Sequence, residues 1–291
     1  MTRDEGYVDV GPGRVWWYSL GDGPGVPLLC LHGGPGMTHN YLEPLEDLAD
    51  RRTVIFYDQL GCGRSDRSGD ETLWTVDRFV DELAVVRGAL GLERVHLFGS
   101  SWGGMLAMRY ALDRRPELVS LVLCGSPASM PRWIRECRDL LDALPERDRE
   151  EIERHERDGW YSCPEYQAAV LTFYRRHVCK LDPWPPGWER SLAEAGWDVY
   201  TTMNGPTEFT VTGNFADFDV TERLGELSGY PTLILGGEDD EARPAHMHDM
   251  HERIGGSELT IFPDASHLCF YERRGEFMAR VNEFLERVEA R

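Results

Sequence analysis

The sequence predicts an α/β fold, a mostly parallel sheet flanked by helices, with one helical insertion. Three observations carry this reading. Short apolar, β-branched runs recur along the chain and lead into glycine-rich turns, as expected of strands buried on both faces. Helical stretches alternate with those runs. The alternation stops once, between about residues 126 and 224, where helical patterns rich in Trp and Tyr flank a cluster of prolines, Pro183, Pro185 and Pro186.

Taken in order, the strands are expected at 26–31, 53–57, 95–98, 118–124, 232–235 and 259–262. Helices are expected at 76–90 and 105–112. A third, at 275–288, places Phe277, Val281, Phe284 and Val288 at helical spacing on one face. This divides the chain into a core over 1–126, a helical cap over 127–224 and the return of the core over 225–291. No internal repeat or low-complexity tract interrupts the pattern.

Composition narrows the function classes. The 291 residues hold 51 Asp and Glu against 31 Lys and Arg, a formal net charge of −20. Such a charge repels phosphate backbones and anionic membranes, so no nucleic-acid or membrane partner is expected. Seven cysteines, Cys30, Cys62, Cys124, Cys137, Cys163, Cys179 and Cys269, are scattered without paired spacing. An odd, unpatterned set implies neither a disulfide framework nor a metal site, and it fits a reducing cytoplasm. Residues 1–10 are acidic and polar rather than basic then apolar, and no apolar run is long enough to span a bilayer.

The chemistry begins at Gly99-Ser100-Ser101-Trp102-Gly103, a GxSxG pattern directly after the expected strand 95–98 and before a helix. Small residues let the chain turn sharply there and push the central hydroxyl out of the sheet, which makes Ser101 the candidate nucleophile. The α/β-hydrolase fold carries this arrangement. A serine hydroxyl needs a base to take its proton and a carboxylate to orient that base, in the chain order Ser, acid, His. His267, in a loop after the last expected strand, is the candidate base. His96 lies within a strand, while His246, His248 and His251 line a polar helix. The acid is sought in Glu238-Asp239-Asp240-Glu241, at the carboxyl end of strand 232–235, where ligand groups gather in open α/β sheets. Spacing alone leaves Asp239 and Asp240 open. His32-Gly33-Gly34-Pro35-Gly36 follows the strand 26–31, at the position of an oxyanion loop. The amides of Gly34 and Trp102 are the candidate oxyanion donors. No phosphate loop or metal-ligand cluster is evident, so no cofactor or metal is expected.

Three separated motifs, His32-Gly33-Gly34-Pro35-Gly36, Asp58-Gln59-Leu60-Gly61-Cys62-Gly63-Arg64-Ser65 and Gly99-Ser100-Ser101-Trp102-Gly103-Gly104, resemble those of the prolyl aminopeptidase (proline iminopeptidase) family. Met203-Asn204-Gly205-Pro206-Thr207-Glu208-Phe209 and Gly237-Glu238-Asp239-Asp240-Glu241 extend the likeness to the branch containing the archaeal tricorn-interacting aminopeptidase. The resemblance aligns the catalytic carboxylate with Asp240; Asp239 stands where the family usually has tyrosine. It also implies that Glu208 and Glu241 hold the substrate's free amine, a role that matches the need of a buried ammonium for an opposite charge. The Asp58–Ser65 motif is read as structural support, with Asp58 or Arg64 bracing the oxyanion loop. The cap aromatics Trp160, Tyr161, Tyr166, Phe173, Tyr174, Trp184, Trp188, Trp197 and Tyr200 are read mostly as cap core, with a few roofing an apolar pocket.

The function expected from these residues is a serine aminopeptidase that releases proline or another apolar residue from short peptides through an acyl-enzyme. The nearest rivals keep the triad and change the substrate: an amino-acid amidase, an esterase or an acyltransferase. A non-catalytic small-molecule binder would be expected to lack a triad member. Haloalkane dehalogenase or epoxide hydrolase chemistry would put an aspartate where Ser101 stands.

Overall fold

The computed structural model describes residues 2–290. Eight strands form one sheet in the order β1-β2-β4-β3-β5-β6-β7-β8. These are β1 (Arg3–Asp9), β2 (Arg14–Leu20), β3 (Gly25–Leu31), β4 (Arg52–Tyr57), β5 (His96–Ser100), β6 (Ser120–Cys124), β7 (Thr232–Gly237) and β8 (Glu258–Phe262). From β4 through β8 every neighbouring pair is parallel, whereas β1 and β2 form an antiparallel hairpin joined antiparallel to β4. The central strands β5, β6 and β7 are buried along their whole length, which is why they read as apolar runs without alternation.

All six expected strands are present, with ends shifted by up to two residues. The β1–β2 hairpin was not anticipated. β1 reads Arg-Asp-Glu-Gly-Tyr-Val-Asp and buries only Val8, because an edge strand needs little apolar surface. The available signal was the turn at Gly11-Pro12-Gly13, closed by the Val10 amide on the Gly13 carbonyl and followed by the aromatic β2.

Helices α1 (Val76–Ala89), α2 (Trp102–Arg114), α8 (Pro244–Arg253), α9 (Cys269–Glu272) and α10 (Arg274–Glu289) accompany the sheet. Thr75 caps α1 by accepting the Arg78 amide. α10 buries Phe277, Val281, Phe284 and Val288, the predicted stripe, together with Met278 and Leu285. Five helices lie between β6 and β7: α3 (Met130–Asp142), α4 (Glu146–Asp158), α5 (Pro164–His177), α6 (Pro186–Ala193) and α7 (Trp197–Met203). Ser129 starts α3 by accepting the Arg132 amide, and an isolated bridge pairs Ser129 with Asp219 where the chain returns. Trp133, Tyr166, Phe173, Met203 and Phe215 from this stretch share one buried apolar cluster with Leu31, Leu97 and Leu123 of the sheet. The helical layer therefore packs on the apolar core of the sheet and, among the described residues, has no separate apolar centre.

At the opposite end of the sheet, the fully buried His96 lies between the Ser120 hydroxyl at 2.7 Å and the Glu289 carboxylate at 2.9 Å. Arg52 also pairs with Glu289 and donates to the Val26 carbonyl, tying α10 to strands β3, β4, β5 and β6. Burial outweighs the attraction of Glu289 and lowers the His96 pKa to about 4. The unfolded chain therefore binds a proton below about pH 6.5 that the folded chain resists until about pH 4. Folding stability should fall as pH drops through that window. His96 alone is expected to withdraw about 2 kcal/mol by pH 5. Chemical denaturation at pH 7 and pH 5 checks this: His96→Gln should lose less stability between the two pH values than the parent does.

Candidate active site

The carboxyl ends of β3, β5, β6 and β7 and the loop after β8 converge beneath the helical layer. β5 runs into Ser101, which adopts φ +54° and ψ −125°, a left-handed-side conformation rarely used by residues other than glycine. α2 begins at the next residue. The turn is held by the Ser101 amide on the Cys124 carbonyl at 2.8 Å. A Cβ at Gly99 would fall 2.4 Å from the Gly103 oxygen, and one at Gly103 would fall 2.1 Å from the Leu31 oxygen. The small residues of the motif thus permit both the turn and the close approach of the β3 end.

His267 Nδ1–H donates to Asp240 Oδ1 at 2.7 Å, and both side chains are buried. Asp240 also accepts the Ala242 amide at 2.8 Å. The neighbouring Asp239 points elsewhere: its half-exposed carboxylate accepts from Lys180 Nζ at 2.9 Å. Geometry thus separates the two aspartates that spacing left open. Burial opposes a charge on His267, yet the attraction and hydrogen bond of Asp240, with Glu208 beyond, outweigh it and raise the pKa above the usual imidazole value.

Gly33 and Gly34 lie against this turn. The Gly33 amide donates to the Tyr41 hydroxyl at 2.6 Å, so it is already engaged. The Gly34 amide has no acceptor among the described residues. The Trp102 amide, first in α2, is one of the orphan donors of a helix N-terminus. Two free N–H groups, on Gly34 and Trp102, therefore flank Ser101.

Ser101, His267, Gly34, Glu208 and Glu241 line one small cleft, bounded by Met37, Tyr41, Val178, Trp188 and Leu268. An adjoining small cleft shares Ser101, Gly34 and Glu208 and is walled by Trp102, Met105, Pro127, Met130, Trp133 and Phe215. The five residues predicted to act on substrate, together with Gly34 and Trp102, thus come together. Glu208 accepts from the Tyr200 hydroxyl at 2.8 Å, and its carbonyl accepts from the Trp133 indole at 2.8 Å. Glu241 is fully buried and its Oε2 has no partner. Burial raises the pKa of both glutamates. Glu241 rises further because Glu208 and Asp240 are close, and neither glutamate is neutralised by a Lys or Arg among the described residues.

Of the cap aromatics singled out in the sequence, Trp188 lines the cavity and Tyr200 reaches it through Glu208; Trp160 and Trp197 face solvent. The wall residues Tyr41, Trp133 and Phe215 were missed. They sit in ordinary helical or loop sequence, with no local signal that they face a site. The bracing role expected of Asp58 or Arg64 is also corrected. Asp58 accepts the His39 and Arg64 amides and pairs with the His39 ring, and the Arg64 guanidinium stacks on Trp16. It is Gln59 that reaches the oxyanion loop. The fold also gathers His32, Asp58 and Cys62 within 4.8 Å of one another, a trio with metal-ligand chemistry. Their polar atoms are engaged with Gly33, Gln59, His39 and Arg64. Among the described residues, no helix is long and apolar enough to cross a membrane, and all seven cysteines are free and buried.

Residues 26–274 match the family model of the alpha/beta hydrolase fold. The chain is 41% identical to a proline iminopeptidase of Thermoplasma volcanium over 289 residues, 98% of this chain and 97% of the relative. It is 39% identical to a proline iminopeptidase of Heyndrickxia coagulans, over 98% of this chain and 99% of the relative. The crystal structure of the proline iminopeptidase of Mycobacterium smegmatis superposes with a TM-score of 0.91 at 41% identity, covering 99% of both chains. That of VinJ superposes at 0.94 with 37% identity, covering 98% of this chain and 99% of VinJ. A strained serine turn between strand and helix, a glycine-rich loop beside it and an acid–histidine pair occur here on a scaffold shared along nearly the full length of those relatives, and on that ground the chain belongs to the proline iminopeptidase family of α/β hydrolases and is a serine hydrolase of the aminopeptidase type.

Proposed function

We propose that the protein removes the N-terminal residue, proline or another apolar residue, from short peptides through an acyl-enzyme. Ser101 Oγ attacks the carbonyl carbon of the first residue while His267 Nε2 takes its proton. Asp240 accepts from Nδ1, which leaves Nε2 as the proton acceptor, and stabilises the imidazolium. The amides of Gly34 and Trp102 donate to the oxyanion of the tetrahedral intermediate, the step at which such donors contribute most. The imidazolium then gives its proton to the leaving nitrogen, and the C–N bond breaks. Water attacks the acyl-Ser101 ester while His267 accepts its proton; the acyl C–Oγ bond then breaks, His267 returns the proton to Ser101 Oγ, and the freed amino acid departs.

The observation that carries this reading is the pair Glu208 and Glu241. Two carboxyl groups enclosed beside Ser101, with no Lys or Arg among the described residues to balance them, form a site for a positive group. The substrate's α-ammonium is such a group, and holding it fixes which carbonyl stands at Ser101. Apolar walls beside it, Met105, Met130, Trp133 and Phe215, suit an apolar first residue.

The test is kcat/KM on chromogenic anilides of proline, alanine, leucine and phenylalanine, each with a free and an acetylated amine. Free-amine substrates should be cleaved and acetylated ones should not. Glu241→Gln, which keeps the shape but cannot take on the charge that a bound ammonium favours, is expected to raise KM for free-amine substrates at least tenfold, with a smaller change in kcat. Equal turnover of acetylated substrates, or cleavage of esters but not anilides, would replace this reading with that of an esterase or amidase.

A further inference from the structure

Gln59 is buried, with 1% of its surface exposed, and its side-chain amide spans the two halves of the oxyanion site. Its Nε2 donates to the His32 carbonyl at 2.9 Å, at the end of β3 and two residues before Gly34. Its Oε1 accepts the indole N–H of Trp102 at 2.9 Å, on the residue that supplies the second donor. Its own backbone N–H donates to His32 Nε2 at 2.9 Å, while the other ring nitrogen donates to the Gly33 carbonyl at 3.0 Å. Burial lowers the His32 pKa to about 4, so the ring stays neutral and can accept at Nε2.

We infer that Gln59 is a positioning residue that sets the spacing between the Gly34 and Trp102 amides. The inference rests on the oxyanion reading given under Proposed function. β3 and β5 are neighbours in the sheet, but both active-site loops lie beyond its hydrogen-bonded register, which ends at Leu31 opposite Gly99. Past that point no strand pairing fixes Gly34 relative to Trp102. A primary amide suits the task because one rigid planar group offers a donor on one side and an acceptor on the other. Tyr41 completes the fixation by holding the Gly33 amide from the opposite flank. Donor placement to within a fraction of an ångström decides how strongly an oxyanion is held. A ground-state substrate gains little from the same precision, so the effect should appear in kcat more than in KM.

Three variants test this: Gln59→Glu, Trp102→Phe and the double variant. Gln59→Glu keeps the shape and the acceptor for Trp102 but sets a second acceptor against the His32 carbonyl. Trp102→Phe keeps the backbone donor and removes the indole N–H. Sites are counted with a fluorophosphonate titrant so that rates refer to folded enzyme. Each single variant is expected to lower kcat roughly ten- to a hundredfold, with KM within about twofold. Affinity for a free-amine boronic acid, whose tetrahedral adduct places an oxygen in the oxyanion site, should weaken in parallel with kcat. The double variant should fall no more than about threefold below the weaker single, because both cut the same link. The inference is overturned if Gln59→Glu keeps full kcat, if losses appear in melting temperature alone, or if the two losses multiply. Failure of the oxyanion reading itself looks different: boronate affinity would then be unrelated to kcat across all three variants.

Discussion

Ser101→Ala is expected to lower kcat on a free-amine anilide by about 10⁵- to 10⁶-fold, with the protein folded as before. The hydroxyl is the bond-forming atom of the proposed mechanism, and a methyl group cannot replace it. What remains should be the modest acceleration supplied by binding and by the oxyanion donors. Folding should survive because the Ser101 side chain makes no capping hydrogen bond to α2, and because the turn is held by its backbone amide on Cys124. Alanine pays the same strain at φ +54° that serine does. Steady-state kinetics with melting temperature as the control reads both outcomes. The adjacent Ser100 is buried within β5, so the same residue type one position earlier has no route to substrate. Residual activity within tenfold of the parent would mean that another group attacks.

Asp240→Asn is expected to lower kcat by about 10⁴-fold, whereas Asp239→Asn should change it less than about threefold. The Asp240 carboxylate accepts from His267 Nδ1 at 2.7 Å and so leaves Nε2 free to take a proton. A carboxamide there can present an N–H to Nδ1, favouring the tautomer whose Nε2 already carries hydrogen and cannot act as base. Asp239 is bound to Lys180 at the surface, and losing that pair removes only an exposed salt bridge. The pH profile gives a second reading of the same pair. The His267 pKa is raised, with burial opposed and outweighed by Asp240, so the acid limb of kcat/KM should lie above the ordinary imidazole value. In Asp240→Asn, whatever activity remains should show that limb displaced to lower pH. A limb that stays in place would assign the titration to another group. Glu208 and Glu241, whose pKa values are also raised, are the groups to examine next.

The parts of this protein that were legible in its sequence are those whose signal is local. Strands β4 to β7 are buried almost throughout and β3 over its second half, so each had to be a short apolar run, and each was readable as one; the edge strand β8 is only partly buried but keeps Leu259, Ile261 and Phe262. The stripe on α10 was readable because burying one face of a helix imposes its period on the sequence. Ser101 was readable because a strained turn between a strand and a helix tolerates few residue types around it, and His267 because chain order places it after the last strand. β1 left no such mark: an edge strand with one buried side chain can be written almost wholly in polar residues.

Tertiary structure decided everything that depended on direction rather than position. Asp239 and Asp240 are adjacent in sequence and equal in chemistry, yet successive side chains leave the turn on opposite sides, one toward Lys180 and solvent and the other toward His267. The same holds for the cap aromatics, where Trp188 faces the cavity and Trp160 faces water although each follows a glycine. Gln59 lies 27 residues from His32 and 43 from Trp102, and only parallel strand pairing brings the three into one hydrogen-bonded group. The sequence by itself determined which backbone turns could exist and which reactive groups stood on them. Folding decided which of those groups face one another, because packing across the sheet sets side-chain direction and no local pattern encodes it.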